Sequence, residues 1–513
     1  MNYSYLDNVF EILVDYGVKD VCIGAGSRST AMLQSLLKHN MNIHPFFDER
    51  AVGFMALGIQ KATQSPVMIV TTSGTAVNNI GPALTEAQKS LSNLIVCTAD
   101  RPSRLHQTSA NQTINQRHVF NQVINELHLP EDAKFANDFF SNLNKSLQHQ
   151  AINGGVIHLN CPLEDPVTNP YKRTKSNQPY VFEGVSYPPY NELDINRINT
   201  LIRSSQRPLL CIGQLEPSIS HTQMLGFVKA LSWPTVVDGT NFWLKGAPNV
   251  IVSANDAYTD LNIQKFDVIL YVGGGFISKK IPEFLETNKA IVHHVSTGYL
   301  PVFPALNTYR FDLTKATPIR YRLDNLSWLR HLNSKILKQQ KEKALTNHEF
   351  DMIAKILDSK INQKVDLFVG NSLPIRYVDQ LKLDKVRRLF CNRGASGIDG
   401  NIATISGLAM AYDKTPLLAI IGDLTALYDL NAFLLLQSVK RPLNIIVINN
   451  RGGKIFESLP VAESYPFFDA HFKLSHKIFI TPILKSMGLS CTHHSDTSGI
   501  VLKFDGQVFE LLP

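Results

Sequence analysis

Long hydrophobic runs, paired cysteines and a strong charge of one sign are all missing from this 513-residue chain. Its longest apolar runs have the length of strands, so no membrane span is expected. The six cysteines are scattered without a Cys-x-x-Cys pair, so neither a zinc site nor a disulfide framework is expected. The first residues show no basic segment followed by an apolar one, so no signal peptide is expected. Together these absences predict a cytoplasmic protein.

The charge balance also narrows the class of partner. Fifty Lys and Arg against 43 Asp and Glu give a net charge of +7. That excess, spread over the whole chain without a cluster, does not indicate a nucleic-acid-binding protein. With 44% hydrophobic residues the chain can bury several cores, and its length predicts three domains.

The hydrophobic pattern alternates short strand-like runs, such as Val67–Thr71, Val268–Val272 and Leu417–Ile421, with helical segments. This alternation is typical of parallel sheets covered by helices on both faces. We therefore predict an α/β fold with three doubly wound, mainly parallel-sheet domains, at residues 1–165, 185–335 and 345–513. The polar stretch from Glu164 to Asn191 is predicted to be a linker.

In an open parallel sheet, ligands bind at the carboxyl ends of the strands, which makes several loops candidates. The glycine-containing loop Gly24–Thr30 suits an anion, although ordinary strand–helix turns look similar. Asp48 and Glu49 follow the next predicted strand. A carboxylate there is most often a helix N-cap or a first-turn charge, and for Glu49 a functional acid remains an equal alternative.

The strongest local signal lies in the third block. Gly422-Asp423 ends an apolar strand, and Asn450 ends the next one, followed by Gly452 and Gly453. A carboxylate, an amide oxygen and backbone carbonyls are hard ligands of the kind that Mg²⁺ uses when it also binds a phosphate. The pairing predicts a diphosphate–metal site.

Gly422-Asp423 followed by Asn449-Asn450 resembles the fingerprint of thiamine diphosphate-dependent enzymes. The segment Gly422–Asn431 is similar to one branch of them, the MenD family of menaquinone-pathway synthases. Further segments agree with that branch in the same order along the chain: Gly26–Thr30, Phe47–Arg50, Thr72–Ala76, Thr98–Pro102, Ala110–Gln112, Gly370–Leu373, Asn392–Gly400 and Gly453–Phe456.

The resemblance implies an N-terminal pyrimidine-binding domain, a central α/β domain and a C-terminal diphosphate-binding domain. It implies thiamine diphosphate with Mg²⁺ or Mn²⁺, and a homodimer or homotetramer with active sites at the subunit interface. Glu49 matches the glutamate that activates the cofactor. Asp423, Asn450 and the carbonyl of Gly452 match the metal ligands. The other cofactor-binding residues implied are Ser372, Gly397, Gly422, Leu424, Thr425, Gly453, Ile455 and Phe456.

The reaction implied is decarboxylation of 2-oxoglutarate and addition of the resulting carbanion to isochorismate. Both substrates are dicarboxylates, for which arginine is the natural partner. The substrate-binding residues implied are Ser27, Arg28, Arg101, Gln112, Lys279, Asn371, Ser372, Arg376 and Arg393, with Ile455, Phe456 and Leu459 as an apolar wall.

Three departures from the family pattern stand out: Leu424 in place of a second glycine, Ala25 in place of proline, and Arg451 beside the metal turn. The alternatives are another member of the superfamily, such as an acetolactate synthase or a 2-oxoacid decarboxylase, and a non-catalytic subunit that keeps the fold as a scaffold. Gly273-Gly274-Gly275 lacks the rest of a dinucleotide fingerprint and is interpreted as a helix-packing turn.

Overall fold

A computed structural model describes residues 3–121, 123, 125–164, 180–185, 191–216, 219–295, 301–303, 307–316, 326–411 and 413–513. Most of the predicted linker between Glu164 and Asn191 lies outside these residues. In the described part of the chain, no helix is both long and apolar enough to cross a membrane.

The first sheet is parallel throughout, and its inner strands are fully buried, as expected for a sheet covered on both faces. Its strands are β1 (Asp20–Gly24), β2 (Asn42–Pro45), β3 (Val67–Thr71), β4 (Leu94–Asp100), β5 (Asn125–His128) and β6 (Val156–Pro162). Its helices are α1 (Tyr3–Tyr16), α2 (Thr30–Leu36), α3 (Glu49–Thr63), α4 (Thr75–Asn79), α5 (Gly81–Lys89) and α6 (Ala136–Asn153). The strand order is β2-β1-β3-β4-β6-β5.

The central sheet is also parallel. Its strands are β7 (Pro208–Ile212), β8 (Thr235–Val237), β9 (Val250–Ile251), β10 (Val268–Val272), β11 (Val292–Val295) and β12 (Thr308–Tyr309). Its helices are α7 (Glu192–Ser204), α8 (His221–Leu231), α9 (Ala254–Ile263) and α10 (Lys280–Thr287). The order β12-β11-β10-β7-β8-β9 is that of dinucleotide-binding folds, but the glycine run at Gly273 follows the fourth strand and not the first, where a phosphate loop would lie.

The third sheet repeats the strand order of the first, as β14-β13-β15-β16-β18-β17, again with parallel pairs. Two helices precede it, α11 (Ser327–Thr346) and α12 (His348–Lys355). Its strands are β13 (Val365–Val369), β14 (Val386–Phe390), β15 (Leu417–Gly422), β16 (Leu443–Ile448), β17 (Cys491–His494) and β18 (Val508–Leu511). The other helices are α13 (Leu373–Val378), α14 (Asn401–Met410), α15 (Asp423–Tyr428), α16 (Val461–Ser464) and α17 (Ile480–Ser486).

Three parallel, six-stranded sheets with intervening helices confirm the predicted fold class, an α/β chain with three mainly parallel-sheet domains. Each sheet lies within one predicted segment, while the boundaries of the segments remain predictions. Contacts divide the chain into two compact units. The first unit contains Met1–Tyr187, Asn392–Lys414 and Thr425–Pro442, and the second contains Pro188–Cys391, Thr415–Leu424 and Leu443–Pro513.

Within the first unit, α3 and α14 cross in close contact. A Cβ atom at Gly58 would overlap the carbonyl oxygen of Thr404, and one at Gly407 would overlap that of Met55. Glycine at both positions therefore lets the two backbones touch. The crossing packs the helix that begins at Glu49 against the helix that follows the Asn392–Gly400 loop.

Candidate active site

Asp423 is the first residue of α15 and follows the carboxyl end of β15. Its Oδ2 accepts a hydrogen bond from the backbone N–H of Gly452 (2.8 Å), and its Oδ1 accepts one from the backbone N–H of Leu424 (2.7 Å). Nε2 of His476 lies 3.1 Å from Oδ2. Burial of the side chain raises the pKa of Asp423 above its ordinary value. The carboxylate is therefore held in a fixed position by the turn that carries the other predicted ligands.

Asn450 and Gly452 lie in the turn after β16. Nδ2 of Asn450 donates a hydrogen bond to Oε1 of Glu349 at 3.1 Å, and Nζ of Lys454 lies 3.1 Å from the same oxygen. Oδ1 of Asn450 is buried and has no hydrogen-bond partner among the described residues. Gly452 has a φ of 137°, and a Cβ there would lie 2.6 Å from the carbonyl oxygen of Lys473, so the turn requires glycine.

These groups fit a divalent cation that also binds a diphosphate. A carboxylate, an amide oxygen and a backbone carbonyl are oxygen ligands of the kind that Mg²⁺ takes. The described part of the chain has no group of three or more His, Cys, Asp and Glu side chains that could hold a metal ion. A buried amide oxygen without a hydrogen bond costs free energy, which a bound cation would offset.

An apolar segment follows the same turn. Gly453 donates its N–H to the carbonyl oxygen of Lys473 (2.6 Å), and a short 3₁₀ helix, Lys454–Ser458, comes next. In this segment Ile455 is half-buried, while Phe456 is 36% and Leu459 is 37% exposed. The segment thus has the partly open apolar surface expected of a wall that a substrate covers.

The loop after β13 and the helix that follows it, α13, hold three further predicted residues. Asn371 is buried, and Ser372 has a φ of 71°, an unusual value for a residue other than glycine. The guanidinium of Arg376 donates a hydrogen bond to the carbonyl oxygen of Ser372 at 2.6 Å. Such strained backbone is typical of functional sites, and the bond ties Arg376 to the loop.

Lys279 lies immediately before α10 and is exposed. Nζ of the adjacent Lys280 lies 5.7 Å from the ring centroid of Tyr258, a cation–π contact. The two neighbouring lysines therefore have different surroundings, and the choice of Lys279 as the substrate-binding member of the pair stays a prediction.

The two carboxylates before and at the start of α3 have different roles. Asp48 is the N-cap, because its Oδ1 accepts hydrogen bonds from the backbone N–H groups of Arg50 (2.9 Å) and Ala51 (3.5 Å). Oε2 of Glu49 accepts one from Nδ2 of Asn79 at 3.3 Å, and the side chain is only partly buried. The capping function thus belongs to Asp48, which leaves the carboxylate of Glu49 accessible to a ligand.

Ser27 and Arg28 form a short 3₁₀ turn after β1. Ser27 is exposed, whereas Arg28 is buried and donates from a guanidinium nitrogen to the carbonyl oxygen of Leu163 (2.8 Å). Arg28 therefore fastens the segment after β6 to the predicted anion-binding loop.

Arg101 and Gln112 lie in the long segment after β4. Nε2 of His106 lies at hydrogen-bond distance (2.8 Å) from the carbonyl oxygen of Arg101, and Oγ of Ser73 donates to the carbonyl oxygen of Gln112 at 3.0 Å. Gln112 is exposed and Arg101 is half-buried. These contacts hold the backbone of Arg101 just after β4 and that of Gln112 against Ser73, which follows β3.

Two residues at the site were not found by sequence reasoning. Glu349 and His476 contact the predicted metal ligands Asn450 and Asp423. Each lies outside the strand-end motifs, and no pattern in the sequence distinguishes it from ordinary polar residues.

The predicted site residues are distributed over both compact units. The second unit brings Asp423, Gly452 and Leu424 into direct contact, with Asn450 in the same turn. It also contains Lys279, Asn371, Ser372, Arg376, Gly422, Gly453, Ile455, Phe456 and Leu459. The first unit contains Ser27, Arg28, Glu49, Arg101, Gln112, Arg393, Gly397 and Thr425.

Known proteins resemble the chain along most of its length. Residues 4–128 match the family described as "Thiamine pyrophosphate enzyme, N-terminal TPP binding domain". The protein named 2-succinyl-5-enolpyruvyl-6-hydroxy-3-cyclohexene-1-carboxylate synthase from Haemophilus influenzae is 34% identical over 94% of this chain and 89% of its own. Proteins of the same name are 32% identical in Photobacterium profundum, over 90% and 84%, and 31% identical in Aliivibrio fischeri, over 96% and 90%. The chain belongs to the 2-succinyl-5-enolpyruvyl-6-hydroxy-3-cyclohexene-1-carboxylate synthase family of thiamine pyrophosphate enzymes.

Proposed function

We propose that this protein is a thiamine diphosphate-dependent synthase of menaquinone biosynthesis. It decarboxylates 2-oxoglutarate and joins the remaining four-carbon unit to isochorismate, giving 2-succinyl-5-enolpyruvyl-6-hydroxy-3-cyclohexene-1-carboxylate and CO₂. The substrates are inferred from the names of its relatives, which align with at least 90% of the chain. One observation carries the cofactor assignment. Oδ1 of Asn450 is buried and has no hydrogen-bond partner among the described residues. It lies in the same turn as Gly452, whose backbone N–H donates a hydrogen bond to Asp423.

Asp423, Asn450 and the carbonyl of Gly452 would hold Mg²⁺ or Mn²⁺ on the diphosphate, with Gly422, Leu424, Thr425 and Gly453 shaping the surrounding loops. The bound cofactor supplies a carbon nucleophile and an electron sink for decarboxylation. Glu49 would bind the pyrimidine ring and hold or release a proton at its ring nitrogen. Ser372 and Gly397 are assigned further cofactor contacts.

The cationic side chains would bind and orient the carboxylates of both substrates. Arginine suits this function because its guanidinium binds a carboxylate through two parallel hydrogen bonds. Ile455, Phe456 and Leu459 would exclude water while the new carbon–carbon bond forms. The substrate contacts are assigned to Ser27, Arg28, Arg101, Gln112, Lys279, Asn371, Ser372, Arg376 and Arg393.

The assembly is proposed from the family and not from contacts in the single chain. We infer a cytoplasmic homodimer or homotetramer in which Glu49 of one subunit serves the cofactor held by Asp423 and Asn450 of another. Oligomers of this kind are symmetric, so each subunit would contribute to two sites.

Isochorismate-dependent release of CO₂ from 2-oxoglutarate tests the proposed function. The protein is incubated with thiamine diphosphate, Mg²⁺ and 2-oxoglutarate, with and without isochorismate, and the product is identified by mass spectrometry. Release that requires isochorismate and yields the coupled product is expected. Turnover of pyruvate at an equal rate would instead favour a decarboxylase, and failure to bind thiamine diphosphate would favour a scaffold.

A further inference from the structure

Glu86 is a buried carboxylate to which the proposed mechanism gives no role. It lies in the last turn of α5 and is 2% exposed. Its two oxygens accept hydrogen bonds from three consecutive backbone N–H groups, those of Gly394 (2.8 Å), Ala395 (2.6 Å) and Ser396 (3.3 Å). All four residues belong to the first unit. One side chain thus fastens a loop that is more than 300 residues away in sequence.

Lys61 of α3 strengthens this attachment. Its Nζ lies 3.7 Å from Oε1 of Glu86 and donates a hydrogen bond to Oδ1 of Asn392 at 3.0 Å. Arg393 lies between Asn392 and the amides that bind Glu86. The backbone on both sides of Arg393 is therefore anchored to the N-terminal α/β fold.

The attachment is specific for a carboxylate in this position. A buried charge is costly unless hydrogen bonds and an opposite charge compensate it, and here three amides and one ammonium group do so. An apolar side chain at position 86 would leave all three amides without this acceptor. The loop also touches the end of α5 directly, since a Cβ on Gly394 would lie 2.8 Å from the backbone nitrogen of Ser90.

We propose that Glu86, assisted by Lys61, is a positioning residue that holds the Asn392–Ser396 backbone so that Arg393 meets a carboxylate of a dicarboxylate substrate. The inference rests on the proposed function, in which Arg393 binds substrate. The proposal adds a requirement that the strand-end motifs do not contain. The position of the substrate-binding loop in the third domain depends on a residue of the first domain.

Glu86→Gln tests the proposal because it removes the charge but retains nearly the same volume. A displacement of about 1 Å in a substrate-binding group can cost on the order of 100-fold in rate. At saturating cofactor we expect the KM for at least one substrate to rise, and kcat/KM to fall by about 10- to 100-fold. Hydrogen–deuterium exchange of the 392–400 segment, measured without substrates, should become faster.

Asp7→Asn is the matched control. Asp7 is also a buried carboxylate of the first unit, and it accepts a hydrogen bond from Ser35 and is paired with Lys38 at 2.9 Å. It lies in α1, and these two partners belong to α2 and the residues just after it, not to the 392–396 loop. We expect Asp7→Asn to leave both the loop exchange and the KM values at wild-type level. Equal kinetic losses in the two variants would reduce Glu86 to a structural role and overturn the proposal.

Lys61→Gln decides the question if Glu86→Gln does not fold. It keeps the three amide bonds to Glu86 and removes the cation, so a smaller rise in KM is expected, and an unchanged KM would contradict the proposal. Unchanged loop exchange in a folded Glu86→Gln variant would contradict it as well. A wild-type protein without isochorismate-dependent turnover would instead contradict the proposed function, whereas the exchange measurement does not depend on that function.

Discussion

The first and third sheets have the same strand order but carry different chemistry at corresponding strand ends. In the first sheet, the second strand along the chain is followed by the carboxylate of Glu49, whereas in the third sheet it is followed by the cation of Arg393. The fourth strand along the chain is followed by Arg101 in the first sheet and by Asn450 in the third sheet. The third sheet alone places an aspartate, Asp423, directly after its third strand.

Topology and individual residues determine different features of these two sheets. The shared strand order places the loops at the carboxyl edge, where α/β proteins bind ligands. The chemistry of each edge then depends on a few side chains, and in the proposed function this allows one architecture to bind a diphosphate in one domain and a pyrimidine in another. Substitutions at corresponding positions should therefore have unequal effects.

The largest effect is expected for Glu49→Gln. If Glu49 holds the proton at the pyrimidine nitrogen, turnover should fall by about 100- to 10,000-fold, the usual contribution of a general acid or base. Calorimetric titration should still detect binding of thiamine diphosphate with Mg²⁺. Glu192→Gln, at the exposed first turn of α7, is the control and should retain wild-type activity. Near-normal turnover of Glu49→Gln would rule out the proposed role.

A smaller effect is expected where the two corresponding helices cross. Gly58→Ala places a methyl group against the backbone of α14 and should destabilise the protein by about 1–3 kcal/mol, the usual cost of overpacking. Gly226→Ala in α8 is the control, because its Cβ would meet open space, and it should be neutral or stabilising by about 0.4–1 kcal/mol. Thermal unfolding measures both, and a Gly58→Ala protein as stable as the wild type would show that the crossing is not tight.

The smallest effect is expected for Glu349→Gln, which alters the partner that orients Asn450. Outer-shell substitutions at metal sites typically weaken metal binding by about 10- to 100-fold, and because glutamine can still accept one hydrogen bond we expect the lower value. The Mg²⁺ concentration needed for thiamine diphosphate binding, determined by calorimetry, measures the change. Asp351→Asn on the same helix, which loses an ion pair with Lys355, is the control. Equal Mg²⁺ requirements in the two variants would refute the orienting role.

Much of the fold could be predicted because inner parallel strands are continuous apolar runs. The predicted bounds of Val67–Thr71 and Val268–Val272 match β3 and β10, and those at Leu417–Ile421 differ by one residue from β15. The edge strands β5, β9, β12 and β17 and the inner strands β6 and β18 were not predicted. These edge strands are only two to four residues long. The buried strands β6 and β18 contain polar residues such as His158 and Glu510, so their hydrophobic pattern is interrupted.

Predicting the site from sequence was limited by contacts that are distant along the chain. Asp423 and Gly452 were predicted from strand-end motifs, and their direct hydrogen bond agrees with that pairing. Glu86 and Glu349 contact site loops that are distant in sequence, and each lies in a helix without a motif. α11 shows the same limit, because its sequence is rich in lysine and yet Leu329, Leu332 and Ile336 are buried.

The central claim is that the first sheet of one subunit and the third sheet of another together form one active site. Complementation between two inactive variants tests this claim most directly. Glu49→Gln and Asp423→Asn are purified separately, mixed under conditions that exchange subunits, and assayed for isochorismate-dependent CO₂ release. In random dimers about half of the molecules would be mixed, each with one intact site, so about one quarter of the wild-type activity should return. Subunit exchange without any recovered activity would contradict a site shared between subunits.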